Sequence, residues 1–196
     1  MVTRNNRFKY DKHQVIRLAK QLVNGNALIL DTETTGLGEK DEIVEISIID
    51  MRGNVFIDTL IKPTILIPPS ASAIHKITNM DISNAPYITE IIAELTHLFQ
   101  NNTVTIYNAE FDLRMLRQSL HAHGQRLPHN LRDNVCCAME LYSIFNGEYD
   151  KSKMGYKWIG LNSAAARLGI VVPSNLHRTK TDAELTRQVI LRIAKS

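Results

Sequence analysis

Ala27 to Gly36 reads ALILDTETTG, and the rest of the chain is organised around this stretch. Ala27, Leu28, Ile29 and Leu30 run without a polar break and then meet Asp31, the pattern of a strand buried on both faces that ends at an acid. Side chains alternate along an extended backbone, so Asp31 and Glu33 point one way and Thr32 the other. Two carboxylates thus meet at the end of a core strand. Such a pair repels itself and is costly to desolvate, so it calls for a proton, a basic partner or a metal cation. A solvated turn is the plainer alternative, because Asp, Thr and Gly are common turn residues.

The whole chain sets bounds on that reading. Its 196 residues suffice for one domain with a substantial core and require no second one. A formal charge of +3 and a pI near 8.9 allow an anionic partner without demanding it. The two cysteines, Cys136 and Cys137, are adjacent, a spacing unsuited to an ordinary disulfide and outside any spaced thiolate metal motif. Reduced thiols in a cytoplasmic protein are expected. The opening MVTRNNRFKYDKHQ lacks an apolar signal region and no apolar run reaches membrane-spanning length, so a soluble, intracellular chain is expected.

From Asp11 to Val23, Val15, Ile16, Ala19, Leu22 and Val23 recur at helical spacing, and Asn24-Gly25 closes the run. Residues 1–26 therefore read as an N-terminal helical extension packed on a domain that spans 27–196. After the Asp-Thr-Glu strand, Val44, Ile46 and Ile48 share one face of a second strand, Arg52-Gly53-Asn54 turns the chain, and Val55 to Ile61 alternates again. An antiparallel meander of three strands follows. Pro63, Pro68 and Pro69 break the sheet, and the segment to Pro86 reads as short helical turns in a long connection. Ile88 to Phe99 is an amphipathic helix, and Thr103 to Tyr107 is a strand that can join the first in parallel. The expected architecture is α/β, a mixed five-stranded sheet flanked by helices.

Asn108 is positioned to cap the next helix through its side-chain oxygen. On that helix Asp112, Met115, Leu116, Ser119, Leu120 and His123 share a face, so an acid leads the apolar stripe. Favourable placement of an acid at a helix start is the structural alternative. A helix near Ala138 to Phe145, a polar loop with Lys151, Lys153 and Lys157, and a short helix from Leu161 to Leu168 before Gly169 come next. The last helix starts near Thr179, and Asp182 leads its stripe of Leu185, Thr186, Val189, Ile190 and Ile193. His177 stands five residues ahead of Asp182 on a loop; without the acids it reads as an ordinary surface histidine.

Four acids clustered at one sheet edge repel one another unless hard divalent cations bind, and Mg²⁺ or Mn²⁺ prefer such oxygen ligands. Two ions roughly 3.5–4 Å apart stabilise the attacking and leaving oxygens of an in-line phosphoryl displacement. A histidine, with an ordinary pKa of about 6.5, can accept a proton from water near neutral pH. The reaction class is phosphodiester hydrolysis.

At these residues the chain resembles the DnaQ-like 3′→5′ exonucleases, in the branch with four acids and a histidine. DTETTGL at Asp31 to Leu37 is similar to the family's first motif, NAEFD at Asn108 to Asp112 to its second, and HRTKTDA at His177 to Ala183 to its third. The segment Ile74 to Thr78 also resembles the family, with Lys76 where a Gly is more usual. The resemblance implies a ribonuclease H-like fold and an exonuclease domain over 27–196. It also implies Asp31, Glu33, Asp112 and Asp182 as ligands of two Mg²⁺ or Mn²⁺, with His177 and Glu33 catalytic and His177 the general base. It further implies substrate contacts at Thr32, Thr34, Gly36, Leu37, His75, Asn108 and Phe111. A histidine in the third motif, where other members carry tyrosine, is expected to set the chain apart from the branch fused to many polymerases.

The function expected is hydrolysis from the 3′ end of single-stranded or frayed DNA. RNA is the alternative substrate, discriminated by 2′-OH contacts that sequence does not expose, and a non-catalytic module on the same fold is a second alternative. The short stretch beyond the last helix leaves little for a polymerase-docking tail, so a stand-alone enzyme is expected.

Overall fold

The computed structural model describes residues 10–152, 154–174 and 177–196, the side chains of residues 129 and 130 excepted. Residues 1–9 of the expected extension and Lys153 of the expected loop lie outside the described residues.

Strand β1 (Leu28–Thr34) is the middle of a five-stranded sheet. Its neighbours on one side are β2 (Ile43–Asp50) and β3 (Val55–Leu60), antiparallel in turn, so the meander forms as its alternation and its turn require. On the other side β4 (Val104–Ile106) pairs in parallel with β1, and β5 (Val135–Cys137) in parallel with β4. The order β3-β2-β1-β4-β5 is the mixed α/β sheet expected from the sequence. Because β1 has a partner on each edge and cover on each face, Leu28, Ile29 and Leu30 are fully buried.

Helix α1 (Lys12–Asn24) begins after Asp11, whose carboxylate accepts the Gln14 N–H at 2.8 Å while Gln14 Oε1 accepts the Asp11 N–H at 2.7 Å. This reciprocal cap satisfies two donors that a helix start leaves unpaired. Val15, Ala19 and Leu22 are buried in the main core, each larger side chain contributing about 1.5–3 kcal/mol. The surface that receives α1 is the final helix, α7 (Thr179–Ala194), which lies across β1 and β2. Between β3 and β4 come α2 (Pro69–His75) and α3 (Ile88–Asn101); Val44, Ile67, Ala71, Ile77 and Ile82 form a second small core there.

Helix α4 (Ala109–Ala122) links β4 to β5. Its expected side-chain cap does not form: Asn108 adopts a left-handed conformation, φ 69° and ψ 53°, and its side chain makes no cap hydrogen bond. The turn from β4 into α4 is tight enough to need positive φ, which Asn tolerates better than most residues, and that geometry replaces the extended one a side-chain cap requires. After α5 (Ala138–Asn146) the expected polar loop is instead a small hairpin. Its strands β6 (Tyr149–Asp150) and β7 (Gly155–Tyr156) are joined by Tyr149 packed edge-on to Tyr156, ring centroids 5.9 Å apart. Charged residues at the turn obscured two short strands that a cross-strand aromatic pair holds together. Helix α6 (Leu161–Arg167) then leads to Gly169, at φ 68°, and to α7.

Candidate active site

The acids converge from three elements. Asp31 and Glu33 project from one face of β1, opposite Ser47 and Glu45 of the antiparallel β2. Thr32 points to the other face, where its hydroxyl donates to Asp112 Oδ1 at 2.7 Å. Asp112 sits in the first turn of α4 with only 3% of its surface exposed, so the helix directs it inward as the stripe predicted. Asp182 occupies the first turn of α7, and its Oδ2 accepts the backbone N–H of His177 at 3.3 Å. One ligand atom each from Glu33, His177 and Asp182 lies within 4.8 Å of the others.

Charge confirms the clustering. Burial raises the Asp31 carboxyl well above the usual carboxylate range, and Asp112, Asp182, Glu33 and Glu45 each add to that rise. Glu33 is pushed up to about 8, by burial first and then by Asp182, Glu45 and Asp112, with Arg178 opposing. Asp112 is pushed up to about 7 by burial, against the Thr32 hydrogen bond that favours its anion. Burial also raises Asp182, offset by His177. Asp182 Oδ1 is buried with no hydrogen-bond partner. Carboxylates held together against their own repulsion, one with an orphaned oxygen, form a site built for a cation.

The loop after β1 is held as tightly as the acids. Thr34 Oγ1 donates to the Gly36 carbonyl at 2.7 Å, and Gly36 lies against Asp41, where a Cβ would fall 2.7 Å from Oδ2. Asp41 in turn accepts from the Thr35 hydroxyl and the Gly38 N–H. Arg114 of α4 donates to the carbonyls of Leu37 and Gly38, and Gln118 to those of Gly38 and Asp41. The loop is thereby tied down while the Leu37 side chain stays 77% exposed. Asn108 and Phe111 line an open groove of about 760 Å³ with Arg114, Arg117, Arg132 and Trp158. His75 is different: it is buried, its Nδ1 accepts the Ile77 N–H at 3.0 Å, and burial lowers its pKa.

The sequence reading singled out neither the groove residues Arg114, Arg117, Arg132 and Trp158 nor the pair Glu45 and Arg178. Glu45 is buried opposite Glu33, and Arg178 grips it through Nε at 3.0 and 3.1 Å and through Nη2. A signal for Glu45 existed: it alternates with Val44 and Ile46, so in an antiparallel pair with β1 it shares the face of Glu33. No local pattern marks Arg178.

The exonuclease family model RNase_T matches residues 28–190. The uncharacterized exonuclease CP81 of Escherichia phage 186 is 39% identical over 180 residues, 90% of this chain and 92% of that protein. DNA polymerase III subunit epsilon of Treponema pallidum is 31% identical across 81% of this chain and 72% of its own length. DNA polymerase III PolC-type of Clostridium perfringens is 28% identical, and the match spans 11% of that much longer protein. Among solved structures, Exonuclease X in complex with 5′ overhanging duplex DNA superposes with a TM-score of 0.64 at 25% identity, over 86% of this chain and 91% of that one. Among the described residues no helix is long and apolar enough to cross a membrane. Sequence, fold and the Glu33, His177 and Asp182 cluster agree: this chain belongs to the RNase_T family of DnaQ-like exonucleases and is a metal-dependent 3′→5′ exonuclease.

Proposed function

We propose that the chain removes nucleotides from the 3′ end of single-stranded or frayed DNA, with two Mg²⁺ or Mn²⁺ ions held by Asp31, Glu33, Asp112 and Asp182 and with His177 as general base. The observation that carries this reading is the set of mutually repelling acids beside Asp182 Oδ1, an orphaned buried acceptor. An all-carboxylate oxygen set suits hard divalent cations better than soft ones. When bound, such ions polarise the phosphoryl oxygens, lower the pKa of water and stabilise charge on the attacking and leaving oxygens.

The chain's own residues supply orientation and the proton acceptor. Thr32 fixes the Asp112 carboxylate through its hydroxyl, and the Asp182 carboxylate is oriented by the His177 N–H. His177 is exposed at the rim with a ring nitrogen close to Glu33 and Asp182, which suits it to take a proton from water at the site and release it to solvent. Leu37, held outward by its loop, borders the terminal nucleotide, and Thr34 and Gly36 keep that loop in shape. His75 is buried instead of facing open solvent, and its Nδ1 is occupied by the Ile77 N–H. The groove with Asn108, Phe111, Arg117, Arg132 and Trp158 offers cations to phosphates and rings to bases, as a path for a single strand requires.

DNA is chosen over RNA because the polymerase III relatives are DNA enzymes by name. Residues 27–196 form the catalytic domain, with helix α1 (Lys12–Asn24) packed on it. The enzyme is read as needing no polymerase for activity, and two free, buried cysteines suit the cytoplasm. The test is digestion of labelled DNA and RNA strands of one sequence, with open or blocked 3′ ends, in Mg²⁺, Mn²⁺ or EDTA. Expected is loss of DNA from open 3′ ends only, abolished by EDTA. Activity in EDTA, cutting of circular single strands, or faster RNA digestion each overturns its part of the reading.

A further inference from the structure

The start of α7 is anchored from outside its own sequence. Its N-cap residue, Arg178, makes no side-chain cap bond, yet the first helical N–H, that of Thr179, donates to Glu45 Oε2 at 3.0 Å. The same carboxylate receives the guanidinium of Arg178 through both Nε and Nη2. Thr179 is fully buried, and its hydroxyl shares a 2.6 Å hydrogen bond with Ser47, which donates to Asp58 at 2.7 Å; Lys180 pairs with Asp58 at 3.3 Å. One carboxylate of β2 thus caps a helix more than 130 residues later in the chain.

His177 is the residue immediately before this anchor. Its backbone is left-handed, φ 64°, a conformation that costs a non-glycine residue energy and persists only when its surroundings enforce it. On one side the His177 N–H is tied to Asp182; on the other, Arg178 is tied to Glu45. Between these two ties the His177 backbone is fixed, and with it the point from which the exposed imidazole reaches Glu33 and Asp182. The guanidinium also opposes, in part, the charge of Glu45, which stands as a fifth acid directly across the sheet from Glu33.

We propose that Glu45 and Arg178 are positioning residues, a latch that holds His177 in reach of Glu33 and Asp182. The proposal deepens the nuclease reading and rests on His177 as the proton acceptor. A bidentate guanidinium fork fixes direction as well as distance, and Lys cannot reproduce it. Loss of the fork frees the His177 backbone to relax out of its left-handed turn, while the Thr179 N–H and hydroxyl still hold α7 on β2.

The experiment compares wild type with Arg178→Gln, Arg178→Lys, Glu45→Gln and the double Glu45→Gln/Arg178→Gln in Mg²⁺. Its readouts are kcat and KM on a single-stranded DNA oligonucleotide, melting temperature, and the imidazole NMR signals of His177, assigned with His177→Ala. Displacement of a catalytic group by about 1 Å is enough for roughly 100-fold, so kcat should fall about 10- to 100-fold in both Gln variants with KM within about twofold. The Lys variant should recover only part of the loss, and the double variant should be no worse than the singles. The His177 signals should shift or broaden at temperatures where every variant is folded. A kcat within twofold of wild type, or unchanged His177 signals in folded variants, overturns the latch. Absence of activity in wild type itself defeats the nuclease reading, and the NMR comparison then still decides whether the pair positions His177.

Discussion

Replacing Glu33 by Gln keeps the shape of the side chain and removes one of the repelling charges, so it separates an acid retained for function from one retained for stability. In the folded protein Glu33 titrates at about 8 against an ordinary 4.5, because burial and then Asp182, Glu45 and Asp112 disfavour its anion. The folded state therefore binds more protons than the unfolded state between these values. Stability that is fully present below about pH 4.5 is lost as pH rises through about 8. A rise of that size corresponds to about 5 kcal/mol opposing ionisation of the one group. In wild type the neighbouring acids already share protons and relax around Glu33, so only about 2 kcal/mol should appear as a net gain in the variant, or roughly 4–8 °C in melting temperature for a domain of this size. The assay is thermal unfolding in EDTA at pH 5 and pH 8.5, repeated in Mg²⁺. In EDTA the two proteins should melt together at pH 5, and Glu33→Gln should melt higher at pH 8.5. Added Mg²⁺ should raise wild type far more than the variant, because the ions lose a ligand there. Nuclease activity should fall at least about 100-fold. A variant that melts lower than wild type at pH 8.5 in EDTA refutes the argument, since Glu33 would then be stabilising as an anion.

Lys76 ends α2 in the left-handed region at φ 64°, which costs an L residue about 1–2 kcal/mol. Lys76→Gly should stabilise by about 0.5–1 kcal/mol after the entropy of glycine is subtracted, without changing kcat; equal or lower stability in denaturant titration contradicts the strain. Gly36→Ala places a methyl group 2.7 Å from Asp41 Oδ2 and so displaces the carboxylate from Thr35 and from the Gly38 N–H. The expected cost is about 1–2 kcal/mol, with KM for a DNA strand raised as the Leu37 loop loosens; an unchanged melting temperature and KM would show that the loop tolerates the shift.

Much of this protein is written in short-range periodicity. The apolar run before Asp31, the stripe that Asp112 leads and the stripe that Asp182 leads each depend only on which residues recur at strand or helix spacing. Asp112 consequently reaches the interior, and Asp31, Glu33 and Asp182 half-buried positions, as their own elements dictate. The antiparallel meander followed by parallel β4 is legible for the same reason, since turn residues and connection lengths are local. What the tertiary structure decided are the contacts between distant elements and the backbone states they impose. The Glu45–Arg178 pair joins residues 133 apart, and its existence depends on the register of β1 against β2 and on where α7 lands across them. The left-handed turns at Asn108 and His177 have the same origin: neither residue type demands positive φ, and only the direct passage from β4 into α4, or the ties to Asp182 and Glu45, enforces it. The raised pKa values follow as well. A carboxylate of ordinary sequence neighbourhood becomes reluctant to ionise only after folding has removed its water and brought three other acids beside Glu33, or four beside Asp31.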